Sequence, residues 1–298
     1  KNGKKVLVQI ELQARFDEQN NITFAGQLEA AGVQLIFGVP GLKVHSKICV
    51  IEREGKKKNL RFGFISTGNF NESTAKIYTD YTLFTADQKI LKEVNKVFNF
   101  LEVSYKLKKY KHLIVSPHYS KNILSKLIDN EIDNNKKGLP SGINLKINNI
   151  TNYPLVDKLY EASQAGVEVK MIVRGVCCLV PGVKGLSENI KVISVVDKYL
   201  EHPRVYIFKN AGDRKVYISS ADWMTRNIEN RVEVGCPIYD KDLQKEILDT
   251  FNISWNDNIK ARIVNQSPQN NRIKPHTREL KQRSQLLTYA YYENKLIK

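Results

Sequence analysis

Apolar positions along the chain fall into short runs and not into long stripes. "KKVLVQIEL" and "VQLIFG" are dense in Val, Ile and Leu, which predicts short, largely buried strands, with "FAGQLEAAG" as a short helix between them. "KICVIER", "LRFGFIST" and "YTDYTLFT" follow as further strands, and "EGKKKN" is a charged hairpin loop. From Asp87 to about Lys109 the period lengthens, and Ile90, Leu91, Val94, Val97, Phe98 and Leu101 share one helical face. "YKLKKYKH" then forms a basic connector.

A second series starts near Leu113 with the strand "HLIVSP" and a helix from Tyr119 to about Asn134, broken by the loop "EIDNNKKGLPSG". "INLKIN" is a strand, "LVDKLYEASQAG" a helix stopped by Gly166, and "VEVKMIV" a strand. After the turn-rich "LVPGVKG" come four strands, "KVISVV", "RVYIFKN", "KVYISSA" and "VEVGCPIYD", and a closing helix from Asp240 to about Trp255. Strands mixed with helices in both halves predict two α/β domains, 1–109 and 110–265. A basic tail, 266–298, follows, with "LLTYAYY" as a docking segment.

The two series share a set of markers. In the first, Arg15 in "QARF" is followed by His45 in "HSK", Asn69 in "STGNFN" and Asp80 in "YTDY". In the second, Arg174 in "VRG" is followed by His202 in "HPR", Asp222 in "SSADW" and Glu233 in "RVEV". The successive intervals are 30, 24 and 11 residues against 28, 20 and 11. Four markers in one order at near-equal spacing predict a duplicated module that places an arginine and a histidine at strand ends.

Composition sharpens this picture. The 298 residues carry 47 Lys plus Arg against 31 Asp plus Glu, a net charge of +16, which points to a polyanionic partner. Lys43, Lys146, Lys209, Arg214, Lys215, Arg226 and Arg231 lie near the markers as candidates to line its path. Cys49, Cys177, Cys178 and Cys236 form no C-x-x-C and read as buried free thiols in a reducing compartment. No apolar run is long enough for a membrane span, and "KNGKKVLVQIEL" enters a strand too soon for a signal peptide. The first domain is expected to begin partway through its natural sequence. No G-x-x-x-x-G-K-[ST] occurs, so a P-loop is excluded.

A duplicated H-x-K or H-x-R followed by an S/T-x-N-like turn resembles the phospholipase D superfamily. The resemblance implies two facing α/β modules related by internal duplication and a pseudo-two-fold axis. "ELQARFDE", "GLKVHSKICVI", "STGNFNESTAKIYTDYTLFT", "LYEASQAGVEVKMIVRGVCCLVPGV", "YLEHPRVYIF" and "ISSADWMTRNIENRVEV" closely resemble the C-terminal catalytic half of type-1 polyphosphate kinase. That family reversibly moves the terminal phosphate of ATP onto polyphosphate through a phosphohistidine, with magnesium. The resemblance implies ATP and polyphosphate as partners, no sequence-specific nucleic acid, a homo-oligomer, further N-terminal domains of the same protein, and a place in the cytoplasm or at the membrane.

Position by position, His45 matches the phosphorylated histidine, and His202 the second catalytic histidine, also an ATP contact. Tyr78 and Arg174 match nucleotide-binding positions, and Arg15 a position associated with magnesium. A guanidinium has no lone pair to give a metal, so Arg15 reads as a phosphate clamp beside it.

The residues themselves suit phosphoryl transfer, which needs a nucleophile, cationic clamps and a proton manager. A neutral imidazole suits the first role. Lys47 lies two residues beyond His45 on the same strand face, and Arg204 stands in the same relation to His202, so each cation can neutralise oxygens beside its histidine. His202 reads as a protonated imidazole at the leaving group. Asn69, Asp80, Asp222 and Glu233 are candidates to orient the rings, with turn chemistry as the other reading of Asn69. Tyr78 either stacks on a base or is an ordinary strand aromatic. His112, His118 and His276 read as surface residues, and Trp223 as core.

Two rivals remain at this point: a phospholipase-D-like phosphodiesterase or nuclease, and an inactive polyanion-binding fragment. Against the diesterase, the aspartate that usually follows the motif lysine after four intervening residues is replaced by Glu52, and by Lys209 in the second motif.

Overall fold

The computed structural model describes residues 2–11, 18–55, 59–104, 108–265, 270–275 and 280–296. The first half runs β1 (Leu7–Gln9), α1 (Glu18–Ala30), β2 (Gln34–Ile36), β3 (Lys43–Val44), β4 (Lys47–Arg53), β5 (Leu60–Ser66), α2 (Glu72–Ala75), β6 (Tyr78–Thr79), β7 (Thr82–Thr85) and α3 (Gln88–Glu102). The second runs β8 (Ile114–Ser116), α4 (Ser120–Lys136), β9 (Ile143–Ile147), α5 (Tyr153–Gln164), β10 (Val169–Val173), β11 (Ile190–Val195), β12 (Leu200–Glu201) and β13 (Arg204–Phe208). It continues with β14 (Lys215–Ser219), α6 (Thr225–Glu229), β15 (Arg231–Ile238), α7 (Lys241–Trp255), β16 (Ala261–Val264) and α8 (Ser284–Leu296).

The second half is built on a sheet ordered β16-β11-β10-β9-β13-β14-β15, whose outer edge takes β3 and β8. β9, β10 and β11 pair in parallel and are largely buried, which is why they read as near-continuous apolar runs. Along β13, alternate side chains enter different cores. Tyr206 and Phe208 join Leu124 and Ile128 of α4 and Leu155 and Leu159 of α5. Val205 and Ile207 join Ile247 and Phe251 of α7, and that cluster runs on into Leu91, Val94 and Val97 of α3. Each such aliphatic or aromatic side chain contributes roughly 1.5–3 kcal/mol when fully buried, so the shared cluster ties the halves together.

The same order of elements occurs twice. β4, β5 and β7 form an antiparallel three-stranded sheet followed by α3, and β13, β14 and β15 pair antiparallel and are followed by α7. Both helices start on an aspartate, Asp87 and Asp240, whose side chain accepts two backbone N–H groups of the first turn. One face of β4-β5-β7 stays open, with Phe62, Phe70 and Phe84 42–71% exposed.

Three features differ from the sequence expectation. α3 stops at Glu102, short of Lys109, and α4 runs on to Lys136 through the first part of the expected loop. The connector is not simply a solvated basic segment: buried Glu93 of α3 accepts the backbone N–H groups of Lys111, His112 and Leu113 at 2.7–3.0 Å. The tail contains α8, which packs on α7 and includes the expected docking segment "LLTYAYY". Parts of the charged hairpin (56–58) and of the connector (105–107) lie outside the described residues.

Candidate active site

Each candidate histidine follows a two-residue strand paired across the halves. β3 runs parallel to the start of β15, with Val44 beside Val232, and β12 runs parallel to β6, with Glu201 beside Thr79. One step further along each pair, a histidine meets a carboxylate of the other half. His45 Nδ1 lies 2.9 Å from Glu233 Oε2. His202 Nδ1 lies 2.8 and 3.0 Å from the two Asp80 oxygens.

The carboxylates are themselves held by matching hydroxyls. Ser220 donates to Glu233, and Thr67 to Asp80. Asn227 Nδ2 adds a bond to Glu233 Oε1 at 2.6 Å. These partners were missed in the sequence, although "STG" and "SSA" sit at matching places in the repeat. A carboxylate only accepts, so each Nδ1 carries the hydrogen in the neutral ring, and Nε2 of His45 keeps its lone pair. His202 differs: its Nε2 lies 2.9 Å from Arg204 Nη1, which donates to it.

Burial lowers the pKa of His45, outweighing the opposite pull of Glu233, and Lys47 and Arg204 lower it further. His202 is also lowered, first by burial and then by Arg204 and Lys47, against the pull of Asp80. The same two cations therefore act on both rings. Burial also depresses Lys47 to about 7, with Glu233 opposing and Arg204 reinforcing. Glu233, which burial alone would raise, is held below its usual range by His45 and Lys47.

These findings bear on two expectations. For His202, burial and Arg204 beside Nε2 favour the neutral ring, against the pull of Asp80 toward the imidazolium. Arg204 is no free phosphate clamp: it is 5% exposed, and its Nε and Nη2 each lie 3.2 Å from Asp222. Asp222 thus orients Arg204, while Glu233 and Asp80 orient the rings. Asn69, at the place of Asp222 in the repeat, is exposed.

Lys47 donates to the His45 carbonyl. Arg174 Nε lies 2.5 Å from Asn148 Oδ1 and 2.6 Å from the Glu201 carbonyl, which share its one hydrogen and tie the side chain to β12. The Tyr78 ring lies 5.1 Å from that of His202, on the wall of a cavity of about 410 Å³ also lined by Asp80, Pro203, Glu201 and Gln285. Arg15 and His276 lie outside the described residues.

Other expectations resolve by burial. Lys146 does not line an open path: it is buried and paired with Glu201 at 2.8 Å. Glu52 binds Arg61, Asn59 and Asn95. All four cysteines are free, but Cys236 alone is buried and Cys178 is exposed. Trp223 is fully buried. His112 bonds Tyr239, and His118 packs edge-on to Phe100.

Comparison with known proteins matches this arrangement to one family. A family model described as polyphosphate kinase C-terminal domain 1 covers residues 1–107, and one described as polyphosphate kinase C-terminal domain 2 covers 113–285. The chain belongs to the polyphosphate kinase family. It is 51% identical over 293 residues to the polyphosphate kinase of Escherichia coli (strain K12) and 50% identical to that of Vibrio parahaemolyticus, with 98% of this chain and 42% of each relative covered. The crystal structure of polyphosphate kinase from Porphyromonas gingivalis superposes with a TM-score of 0.90 at 40% identity, covering 98% of this chain and 45% of that one. The chain thus spans about two-fifths of the length of the curated relatives.

On the polyphosphate kinase C-terminal domains, His45, Lys47, Tyr78 and Asp80 fall in the first matched region, and Arg174, His202, Arg204 and Glu233 in the second. Among the described residues no group of three His, Cys, Asp or Glu side chains is placed to hold a metal ion, and the three site carboxylates are committed to His45, His202 and Arg204. No helix among the described residues is long and apolar enough to cross a membrane.

Proposed function

We propose that this chain is the catalytic half of an enzyme that reversibly transfers the terminal phosphate of ATP to polyphosphate through a phosphohistidine on His45. The observation that carries this reading is the crossed arrangement: each ring held at Nδ1 by the other half's carboxylate, both under the same two cations. Duplication alone would give two separate sites. The crossing supports one composite site.

His45 Nε2 attacks the terminal phosphorus. The N–P bond forms as the bond to the ADP oxygen breaks, and ADP leaves with that electron pair. The ring gains positive charge in this step, and buried Glu233 stabilises it from behind. Lys47 and Arg174 offset the phosphate charge, and Arg15 joins them in this reading. A terminal oxygen of polyphosphate then attacks, and the N–P bond breaks. His202 starts neutral and takes its hydrogen bond from Arg204, so its first contribution is to hold a cation toward the leaving phosphate. Tyr78 serves the base. Magnesium, held largely by nucleotide phosphate oxygens, would offset their charge beside these cations. Basic side chains outside the buried pairs, such as Arg231 and Lys43, are offered to the polyphosphate chain.

The test is labelling with γ-labelled ATP, on this chain and on a longer form that includes the N-terminal part. Acid-labile, base-stable label mapping to His45 is expected, and His45→Ala should abolish it. Label on His202 or on a serine would overturn the assignment. Homo-oligomer formation and a cytoplasmic or membrane-bound setting remain part of the proposal.

A further inference from the structure

Helix α8 reaches back to the short strand that carries His202. Its first-turn residue Gln285 accepts from Tyr199 N at 2.9 Å and returns a bond from Nε2 to the Tyr199 carbonyl at 2.8 Å. One side-chain amide thereby takes the place of a neighbouring strand. Gln285 Nε2 also lies 2.9 Å from Glu201 Oε1, whose other oxygen is 2.8 Å from Lys146 Nζ in the central sheet. Just before the helix, Arg283 grips Asp197 with two bonds of 2.7 Å each. Asp197, Tyr199 and Glu201 are the residues five, three and one before His202.

β12 needs such support. Among the described residues its strand partner is β6 alone, over two residues. A ladder of two residues is short, and the Gln285 side chain adds three hydrogen bonds to the segment that ends in His202. Burying the Lys146–Glu201 pair is itself costly unless every hydrogen-bonding position is met, and Gln285 meets one of them.

We propose that Gln285, seconded by Arg283, is a positioning residue for His202: the C-terminal helix sets the strand that holds the second histidine, while His45 is positioned without it. The proposal rests on the reading that His202 acts in the transfer. The two halves, alike in their histidine–carboxylate pairs, are then unequal in their supports. His45 N donates to the Val232 carbonyl of β15; His202 N donates to the Thr79 carbonyl and its own carbonyl accepts from Asn148, and the strand before it is gripped in addition by a segment far along the chain.

The experiment is a pH titration by nitrogen-15 NMR of histidine-labelled chain, comparing the parent with Gln285→Met and Gln285→Glu. Methionine keeps the length and helix propensity and removes the hydrogen bonds. Glutamate keeps the acceptor for Tyr199 N but faces Glu201 with a like charge. Both variants should move the His202 ring signals, as water reaches the ring, with its pKa rising toward the ordinary histidine value. The His45 signals should stay in place, and the glutamate variant should show the larger change. Unchanged His202 signals in both variants would overturn the proposal. So would equal movement of His45 and His202, which would make α8 a support of the whole fold. The readout needs no turnover, so a failure to find phosphate on His45 would sink the transfer reading and leave this result standing.

Discussion

Gly68 lies directly against the carboxylate of Asp80. A Cβ built on Gly68 would come within 1.9 Å of Asp80 Oδ2 and 2.2 Å of its Cγ. The backbone of Gly68 is of ordinary conformation, so the glycine serves space and not turn geometry. The repeat places Ala221 at the same point of the other half, where the carboxylate is a glutamate, Glu233, one methylene longer.

The first prediction follows from that contact. Gly68→Ala must push Asp80 away from Nδ1 of His202. Overpacking of this kind costs about 1–3 kcal/mol, and loss of a ring-orienting carboxylate costs about 10–100-fold in activity. Stability should fall modestly, turnover of the longer protein should fall by at least tenfold, and phosphorylation of His45 should persist. Wild-type turnover in Gly68→Ala would show that Asp80 does not position His202.

Glu233 and His45 support a second prediction. Glu233 is among the influences that raise the pKa of His45. Glu233→Gln keeps an oxygen for the Nδ1 hydrogen and removes the charge. The pKa of His45, already lowered, should fall further. Single-turnover phosphorylation should slow about 10–100-fold, because the cation formed on attack loses its counter-charge. An unchanged His45 titration would mean that the 2.9 Å contact is not a charged one.

Much of this site was legible in the sequence. His45, His202, Asp80 and Glu233 were visible as one ordered repeat, and the strands β4, β5, β9, β10 and β13 as apolar runs. What was not legible is the crossing. It depends on β3–β15 and β12–β6, strands of two residues whose partners lie far away in sequence, and no periodicity survives over two positions. Lys146 misled for a related reason: a lysine in a strand reads as surface, and only the fold brings Glu201 to it. The sequence offered "LLTYAYY" of α8 as a docking segment but not its target, because the grip on the strand before His202 is polar, through Gln285 and the preceding Arg283.

Arg204 and His202 give a third prediction. Because Nε2 accepts from Arg204 and Nδ1 faces Asp80, an extra fixed positive charge would sit beside a guanidinium. His202→Lys, which a protonated histidine would lead one to regard as a partial substitute, should therefore not restore function. His202→Gln, which can still accept from Arg204, should retain more. Both should lower turnover, the lysine variant by more than about tenfold and the glutamine variant less, because only glutamine keeps an acceptor for Arg204. A lysine variant clearly more active than the glutamine variant would show that the working form of His202 is the cation.

Lys47 gives the last prediction, and its sign can be worked out. In the folded chain this side chain releases its proton near pH 7, whereas in an unfolded chain it keeps it to about pH 10.4. Between those values the unfolded chain binds more protons, so the Lys47 contribution makes the fold more stable as pH rises from about 7 toward 10. Below pH 7 both states are charged there, and the full cost of a buried ammonium remains. Lys47→Met removes this dependence. Chemical denaturation of parent and variant should show the parent gaining on the variant from pH 7 to 9.5 and the two curves running parallel below pH 6. The same group connects stability to function. A phosphate arriving beside Lys47 favours its charged form, so polyphosphate binding at pH 8 should take up protons. Calorimetry in buffers of different ionisation enthalpy would measure that uptake, which should shrink in Lys47→Met. Parallel stability curves across the whole range, together with equal proton uptake in both proteins, would mean that Lys47 stays charged in the fold and acts as a fixed cation.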